Sequence, residues 1–214
     1  MRLKALAIQF GVILASMIFA FGEPAVARTL QIVGFGDSLM AGYELPEGDA
    51  YPMRLQAALK VAGLDVAIAN AGVSGDTTES GLARLDWSIP DGTDGVILEL
   101  GANDALRGIA PASTERNLDA IIARLKERGI AVMLAGMLAP PNMGDDYAAG
   151  FNPIYQRLAD KHGLKLYPFF LDGVVTQPSL QLEDGMHPNA AGVAVMVERS
   201  LPAVESFLRS IPEN

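Results

Sequence analysis

The 214 residues contain no cysteine, a single tryptophan and only two histidines. Without cysteine there is no disulfide framework, no thiol nucleophile, no thiolate-bound metal and no lipidated N-terminal cysteine. His162 and His187 are too few and too far apart to supply a zinc hydrolase with ligands. Positive charge is also scarce: 16 Lys and Arg against 25 Asp and Glu leave a net charge of −9, with no basic cluster. That argues against nucleic acid as a partner, because phosphate binding rests on clustered Lys and Arg. With 50% hydrophobic and 19% charged residues, the composition is that of a folded acidic domain, not a disordered or fibrous chain.

Long apolar runs are absent except at the start. Arg2 and Lys4 precede an uncharged stretch from Ala5 to Gly22, followed by Glu23 and the small-residue run Ala25-Val26-Ala27. This is the pattern of a secretory signal with an Ala-x-Ala cleavage site, an uncleaved membrane anchor being the alternative. Cleavage after Ala27 is favoured because no stop-transfer charges follow; it removes Arg2, Lys4 and Glu23 and leaves residues 28–214, with 14 basic and 24 acidic side chains. The expected location is periplasmic or secreted, with no stable membrane insertion after cleavage.

From Leu30 onward short apolar runs alternate with segments of helical period. Leu30–Phe35, Val66–Ala69, Val96–Leu100, Ala131–Ala135 and Leu164–Phe169 read as strands. Between Thr114 and Arg128 the residues Leu118, Ile121, Ile122 and Leu125 form one stripe, closed by Gly129; residues 52–62 are similar, opened by Pro52 and closed by Gly63. The last segment carries Val193, Val197, Leu201, Val204 and Leu208, and Pro202 is expected to kink or divide it. Apolar strands alternating with helices predict a parallel sheet covered on both faces, a three-layer α/β/α domain.

Ligands in such sheets bind beyond the carboxyl ends of the strands. The segments there are Gly36-Asp37-Ser38-Leu39, Asn70 to Thr77, Gly101-Ala102-Asn103-Asp104 and Glu183 to Pro188. Asp184 stands three residues before His187, a spacing that sets carboxylate and imidazole side by side and frees Nε2 to take a proton from a nucleophile. A surface turn capping the last helix would have the same spacing. Ser38, at a strand-to-helix junction, is the candidate nucleophile, or else a helix N-cap. Gly75 and Asn103 could donate to an oxyanion, or simply shape turns. His162, before Gly163 at a helix end, reads as structural. Each plain reading is credible alone, but together they do not explain why all these residues follow strands of one sheet.

Gly-Asp-Ser-Leu-Met-Ala-Gly-Tyr at 36–43, Asn-Ala-Gly-Val-Ser-Gly-Asp-Thr-Thr at 70–78, Leu-Gly-Ala-Asn-Asp-Ala-Leu-Arg-Gly at 100–108 and Asp-Gly-Met-His-Pro-Asn at 184–189 are four blocks in order. They resemble the SGNH/GDSL hydrolase superfamily, in its branch of Gram-negative periplasmic acyl-CoA thioesterases, lysophospholipases and arylesterases. The resemblance implies a flavodoxin-like sheet of five parallel strands in order 2-1-3-4-5. It puts the nucleophile on Ser38, the acid and base on Asp184 and His187, and the oxyanion donors on Ser38 N–H, Gly75 N–H and the Asn103 side chain. Ala102 departs from the second glycine many relatives carry there. An α/β-hydrolase elbow would need Gly-x-Ser-x-Gly, which Gly36-Asp37-Ser38-Leu39-Met40 does not match, and the Gly-x-x-x-x-Gly-Lys-Ser/Thr pattern of a phosphate loop is missing.

The expected activity is hydrolysis of carboxylic esters with aryl or short-to-medium acyl groups, and of acyl thioesters or lysophospholipids, through an acyl-enzyme and without a cofactor or metal. An imidazole base that titrates near ~6.5 implies loss of activity on acidification. Met137–Gly150 is a candidate wall for the acyl chain, with Met40, Met143 and Met186 as adaptable packing. A non-catalytic ligand-binding domain, and an acyltransferase or carbohydrate deacetylase on the same residues, are the competing readings.

Overall fold

The structure is a computed structural model and describes residues 28–212. The signal-like segment 1–27, with its Ala25-Val26-Ala27 site, lies outside the described residues.

Five parallel strands form one sheet in the order β2-β1-β3-β4-β5: β1 (Leu30–Gly36), β2 (Val66–Gly72), β3 (Gly95–Glu99), β4 (Ala131–Ala135) and β5 (Lys165–Tyr167). This is the expected order. The central strands are apolar apart from Gln31 near the start of β1 and Glu99 at the end of β3, because both of their faces are covered. On one face Gly34 of β1 looks toward Pro52 of α2 (Tyr51–Val61), which packs on α8 (Ala190–Leu208). On the other, Phe35 lies against Gly81 of α3 (Thr78–Ser88), which packs on α5 (Pro111–Glu127), and α5 in turn on α7 (Ile154–His162). The stripe read from α5 is buried in full, with Leu118, Ile121, Ile122 and Leu125 all at 0% exposure.

Two sequence expectations need correction. The fifth strand ends at Tyr167, because Pro168 has no N–H for the ladder; the Tyr167 carbonyl accepts the Gly136 N–H instead. Pro202 does not divide the last helix, which runs unbroken from Ala190 to Leu208. Pro202 and Glu198, whose carbonyl loses its intrahelical donor, both face solvent, so water can replace the missing bond.

The short helices hold the carboxyl edge of the sheet: α1 (Ser38–Ala41) after β1, α4 (Ala102–Leu106) after β3, and α6 (Asp145–Phe151) beyond β4. At the end of β1, Gly36 is in register with Gly72 of β2 and Glu99 of β3. The backbone of α1 rests on Gly72, where a Cβ would overlap the main chain of Met40 and Ala41. Gly72→Ala is therefore expected to lower stability by about 1–3 kcal/mol, the cost of forced overpacking, and to lower activity with it by unseating α1. Gly48→Ala, where nothing lies within 4 Å of an added Cβ, is the neutral control. Urea midpoints of the two variants check this.

Candidate active site

Asp37 closes β1 and caps α1: its Oδ1 accepts the Leu39 N–H at 3.0 Å, which fixes the turn that presents Ser38. Ser38 is 8% exposed. Its Oγ lies 2.8 Å from Nε2 of His187, 149 residues away in sequence, and Nδ1 of that ring lies 2.5 Å from Asp184 Oδ2. A carboxylate only accepts, so Nδ1 carries the hydrogen and Nε2 is left to accept from the Ser38 hydroxyl. The other oxygen of Asp184 accepts the backbone N–H groups of Met186 at 2.9 Å and His187 at 3.0 Å. Desolvation pulls the Asp184 carboxyl upward, but these three donors outweigh it and bring the group to about 2, so it is ionised at neutral pH. Ser38, His187 and Asp184 thus form one continuous chain.

Asn103, on α4, sits between the first two loops. Its Nδ2 donates to Asp37 Oδ2 at 3.1 Å and to the carbonyl of Asp76 at 2.9 Å. Gly75 adopts φ +85° in the adjoining turn, and its carbonyl accepts from Arg107 at 2.7 Å. The N–H groups of Ser38 and Gly75 have no acceptor among the described residues. Arg84, buried on α3, ties this loop down: it donates to Asp76 at 2.5 Å and to the Gly36 carbonyl at 2.9 Å, and covers the Phe35 ring at 4.1 Å. Asp104, buried at 0% exposure, takes the Thr78 N–H and the hydroxyls of Thr78 and Thr114. His162 is remote from all of this, paired with Asp119 at 2.6 Å at the end of α7.

One group escaped the sequence reading. Glu99, the last residue of β3, is fully buried, and its Oε2 accepts the Asp37 N–H at 3.2 Å while its Oε1 has no partner. The signal was available, since a carboxylate inside an apolar strand needs a reason to be there. Burial raises the Asp37 carboxyl to about 6, against the pull of the Leu39 and Asn103 donors. Burial and then the charge of Asp37 raise Glu99 well above the usual carboxylate range.

A cavity of about 440 Å³ opens over Ser38, Asn103 and His187. Met137, Leu138, Ala139, Pro140 and Pro141 line it, which covers the first third of the expected wall. The remainder of that segment turns away into α6, and the opposite wall comes from Leu106 on α4 and from Phe169, Leu171 and Val175 after β5. Of the three methionines, only Met186 lines the space; Met40 is core at 0% exposure. A larger hollow of about 630 Å³ beside Lys126, His162 and Lys165 lies at the opposite, amino edge of β4 and β5, away from Ser38.

A five-stranded parallel sheet with a serine, imidazole and carboxylate chain at its carboxyl edge defines a class of α/β hydrolytic enzymes. Residues 35–195 match the GDSL-like Lipase/Acylhydrolase family, and the chain belongs to it. It is 40% identical over 177 residues to an arylesterase of Vibrio mimicus, covering 82% of this chain and 88% of the relative. It is 37% identical over 166 residues to thioesterase 1/protease 1/lysophospholipase L1 of Escherichia coli, covering 77% of each. Among solved structures, the SGNH-hydrolase family esterase AlinE4 is 46% identical, with a TM-score of 0.71 over 85% of this chain and 97% of that one. The protein is a carboxylic ester hydrolase of this family.

The raised Glu99 carboxyl has a consequence for stability. The unfolded chain loses that proton near its ordinary 4.5, whereas the folded chain keeps it, so stability is full below that pH and falls as pH rises. Glu99→Gln is neutral in both states and avoids the fall. The variant is expected to match the wild type at pH 4 and to gain on it by roughly 1.4 kcal/mol per pH unit from about 4.5 upward, until the folded carboxyl itself ionises. Urea unfolding across this range checks it; parallel curves would mean that Glu99 is ionised in the fold.

Proposed function

We propose that Ser38 is the nucleophile, His187 the general base and Asp184 its orienting carboxylate, in an enzyme for esters with short-to-medium acyl chains, aryl esters among them. The observation that carries this reading is the unbroken chain from Asp184 Oδ2 through His187 to Ser38 Oγ at 2.5 and 2.8 Å, opening into an apolar cavity. As Ser38 Oγ attacks the carbonyl carbon, its proton passes to His187 Nε2, and the imidazolium is held by ionised Asp184. The imidazolium then protonates the leaving alkoxide, and the C–O bond to it breaks. Water, deprotonated by the same nitrogen, attacks the acyl-enzyme carbonyl; the bond to Ser38 Oγ breaks, the imidazolium returns its proton to that oxygen, and the acid leaves.

The developing oxyanion would be met by the Ser38 and Gly75 N–H groups and by Asn103. Both Asn103 amide hydrogens already have acceptors, on Asp37 and Asp76. One of them must be shared with the oxyanion, which ties that donor to the charge on Asp37. Acyl thioesters and lysophospholipids fit the same chemistry and are named in the Escherichia coli relative. The segment 1–27 supports action outside the cytoplasm, and among the described residues no helix is long and apolar enough to cross a membrane.

Hydrolysis of p-nitrophenyl esters from acetate to decanoate by the wild type and by Ser38→Ala tests the assignment. The variant is expected to lose about 10³-fold or more in kcat, and the optimum chain length reads out the cavity. Equal rates in the two proteins would remove Ser38 from the mechanism.

A further inference from the structure

We propose that Tyr43 is a positioning residue for His187, its ring serving as a wall that holds the imidazole in line between Asp184 and Ser38 and favours the imidazolium. The inference rests on the assignment of His187 as the base. The two rings stand with centroids 4.4 Å apart and planes inclined at 32°. The imidazole is otherwise fixed by two hydrogen bonds, at Nδ1 and at Nε2, which lie in its own plane. Such bonds set the ring along the line joining its partners but leave it free to rock about that line. A flat surface against its face removes the rocking.

The backbone is built to deliver this contact. The helix α1 stops after four residues at Gly42, in the left-handed conformation at φ +79°, and the N–H groups of Gly42 and Tyr43 both reach the Ser38 carbonyl, at 3.2 and 3.1 Å. One turn therefore carries the nucleophile at one end and the ring that meets the base at the other. The following residue, Glu44, is held at φ +57°, one of two non-glycine residues at positive φ among the described residues. Strain of this kind persists where surrounding structure has a use for the conformation. Burial of Tyr43 is not that use, since the side chain is 38% exposed. Nor does Tyr43 line the cavity over Ser38, so its ring bears on the imidazole and not on the acyl chain. When His187 takes the Ser38 proton, the new positive charge faces a π surface, which stabilises it.

The charged and titratable groups around the imidazole are Asp184 on its own loop, Asp37 at the start of α1, and Tyr43 with the neighbouring Glu44 on the turn after it. Of these, only the Tyr43 ring is changed in the test.

Steady-state kinetics on a p-nitrophenyl ester, across pH, compare the wild type with Tyr43→Phe, Tyr43→Leu and Tyr43→Ala, each checked for an unchanged melting temperature. Tyr43→Phe keeps the wall and is expected to retain wild-type kcat and pH profile. Tyr43→Ala is expected to lose roughly 5–30-fold in kcat at unchanged KM, the scale of a misplaced catalytic group. The acid limb of kcat/KM should move to lower pH by roughly 0.4–0.7 of a unit in both Tyr43→Ala and Tyr43→Leu. In a His187→Ala background the further change Tyr43→Ala should cost nothing, because its effect runs through the imidazole. A Tyr43→Ala enzyme with wild-type kcat and acid limb, a loss confined to KM, or a Tyr43→Phe loss equal to that of Tyr43→Ala would each overturn the inference. Full activity in His187→Ala would instead overturn the assignment of the base.

Discussion

The site depends on a carboxyl group that is taken out of water. Asp37 is wholly buried, yet it caps α1 through Leu39, accepts from Asn103 on α4, and gives its own N–H to Glu99 on β3. Three segments of the carboxyl edge meet on one residue adjacent to the nucleophile. The arrangement is expensive in isolation, since lifting the carboxyl from 3.8 to about 6 corresponds to roughly 3 kcal/mol against the ionised form. It is tolerated because the two donors remain satisfied and because Glu99, the nearer of the two to the sheet interior, keeps its proton and adds no second charge.

Around this hub each loop is anchored by a different device, and none of the anchors belongs to the Ser38 chain itself. Arg84 reaches under the second loop to the end of β1, so the turn that carries Gly75 is fixed to the strand that carries Asp37. Asp104 ties the start of α3 to α5 through Thr78 and Thr114, which sets the orientation of α4 and hence of Asn103. Asn189 caps α8 with its side chain and holds the carbonyls of Ser179 and Gln181, which fixes the loop on which Asp184 and His187 stand. Preorganised donors and bases require such support, because a displacement of about 1 Å costs a large part of the rate.

The legible part of this design was the part written locally. Apolar runs marked all five strands, the stripe of α5 was correct to the residue, Ser38, Gly75 and Asn103 each followed a strand as polar or glycine punctuation, and Asp184 and His187 stood out by their spacing of three. The anchors were not legible, since Arg84 and Glu99 look like an ordinary helix cation and a stray carboxylate until the register sets Gly36 beside Glu99 and α3 beneath the second loop. Tyr43 was quoted within the first block without a role, because its contact with His187 spans 144 residues and depends on where two turns meet. Pro202 misled for the opposite reason: the local rule is sound, but its cost depends on whether the orphaned carbonyl faces the core or water.

The cavity accounts for one group of exposed apolar side chains. Large hydrophobic side chains are half exposed at Leu106, Leu138, Val175 and Met186, and these four residues come from four different segments. Scattered exposure needs no cause, but all four converge on the one hollow that holds Ser38. An acyl chain entering with its carbonyl at Ser38 would cover all of them at once, at roughly 25 cal/mol for each Å² removed from water. That gain grows with every methylene the hollow can cover, so under the proposed mechanism the apolar lining rewards acyl length.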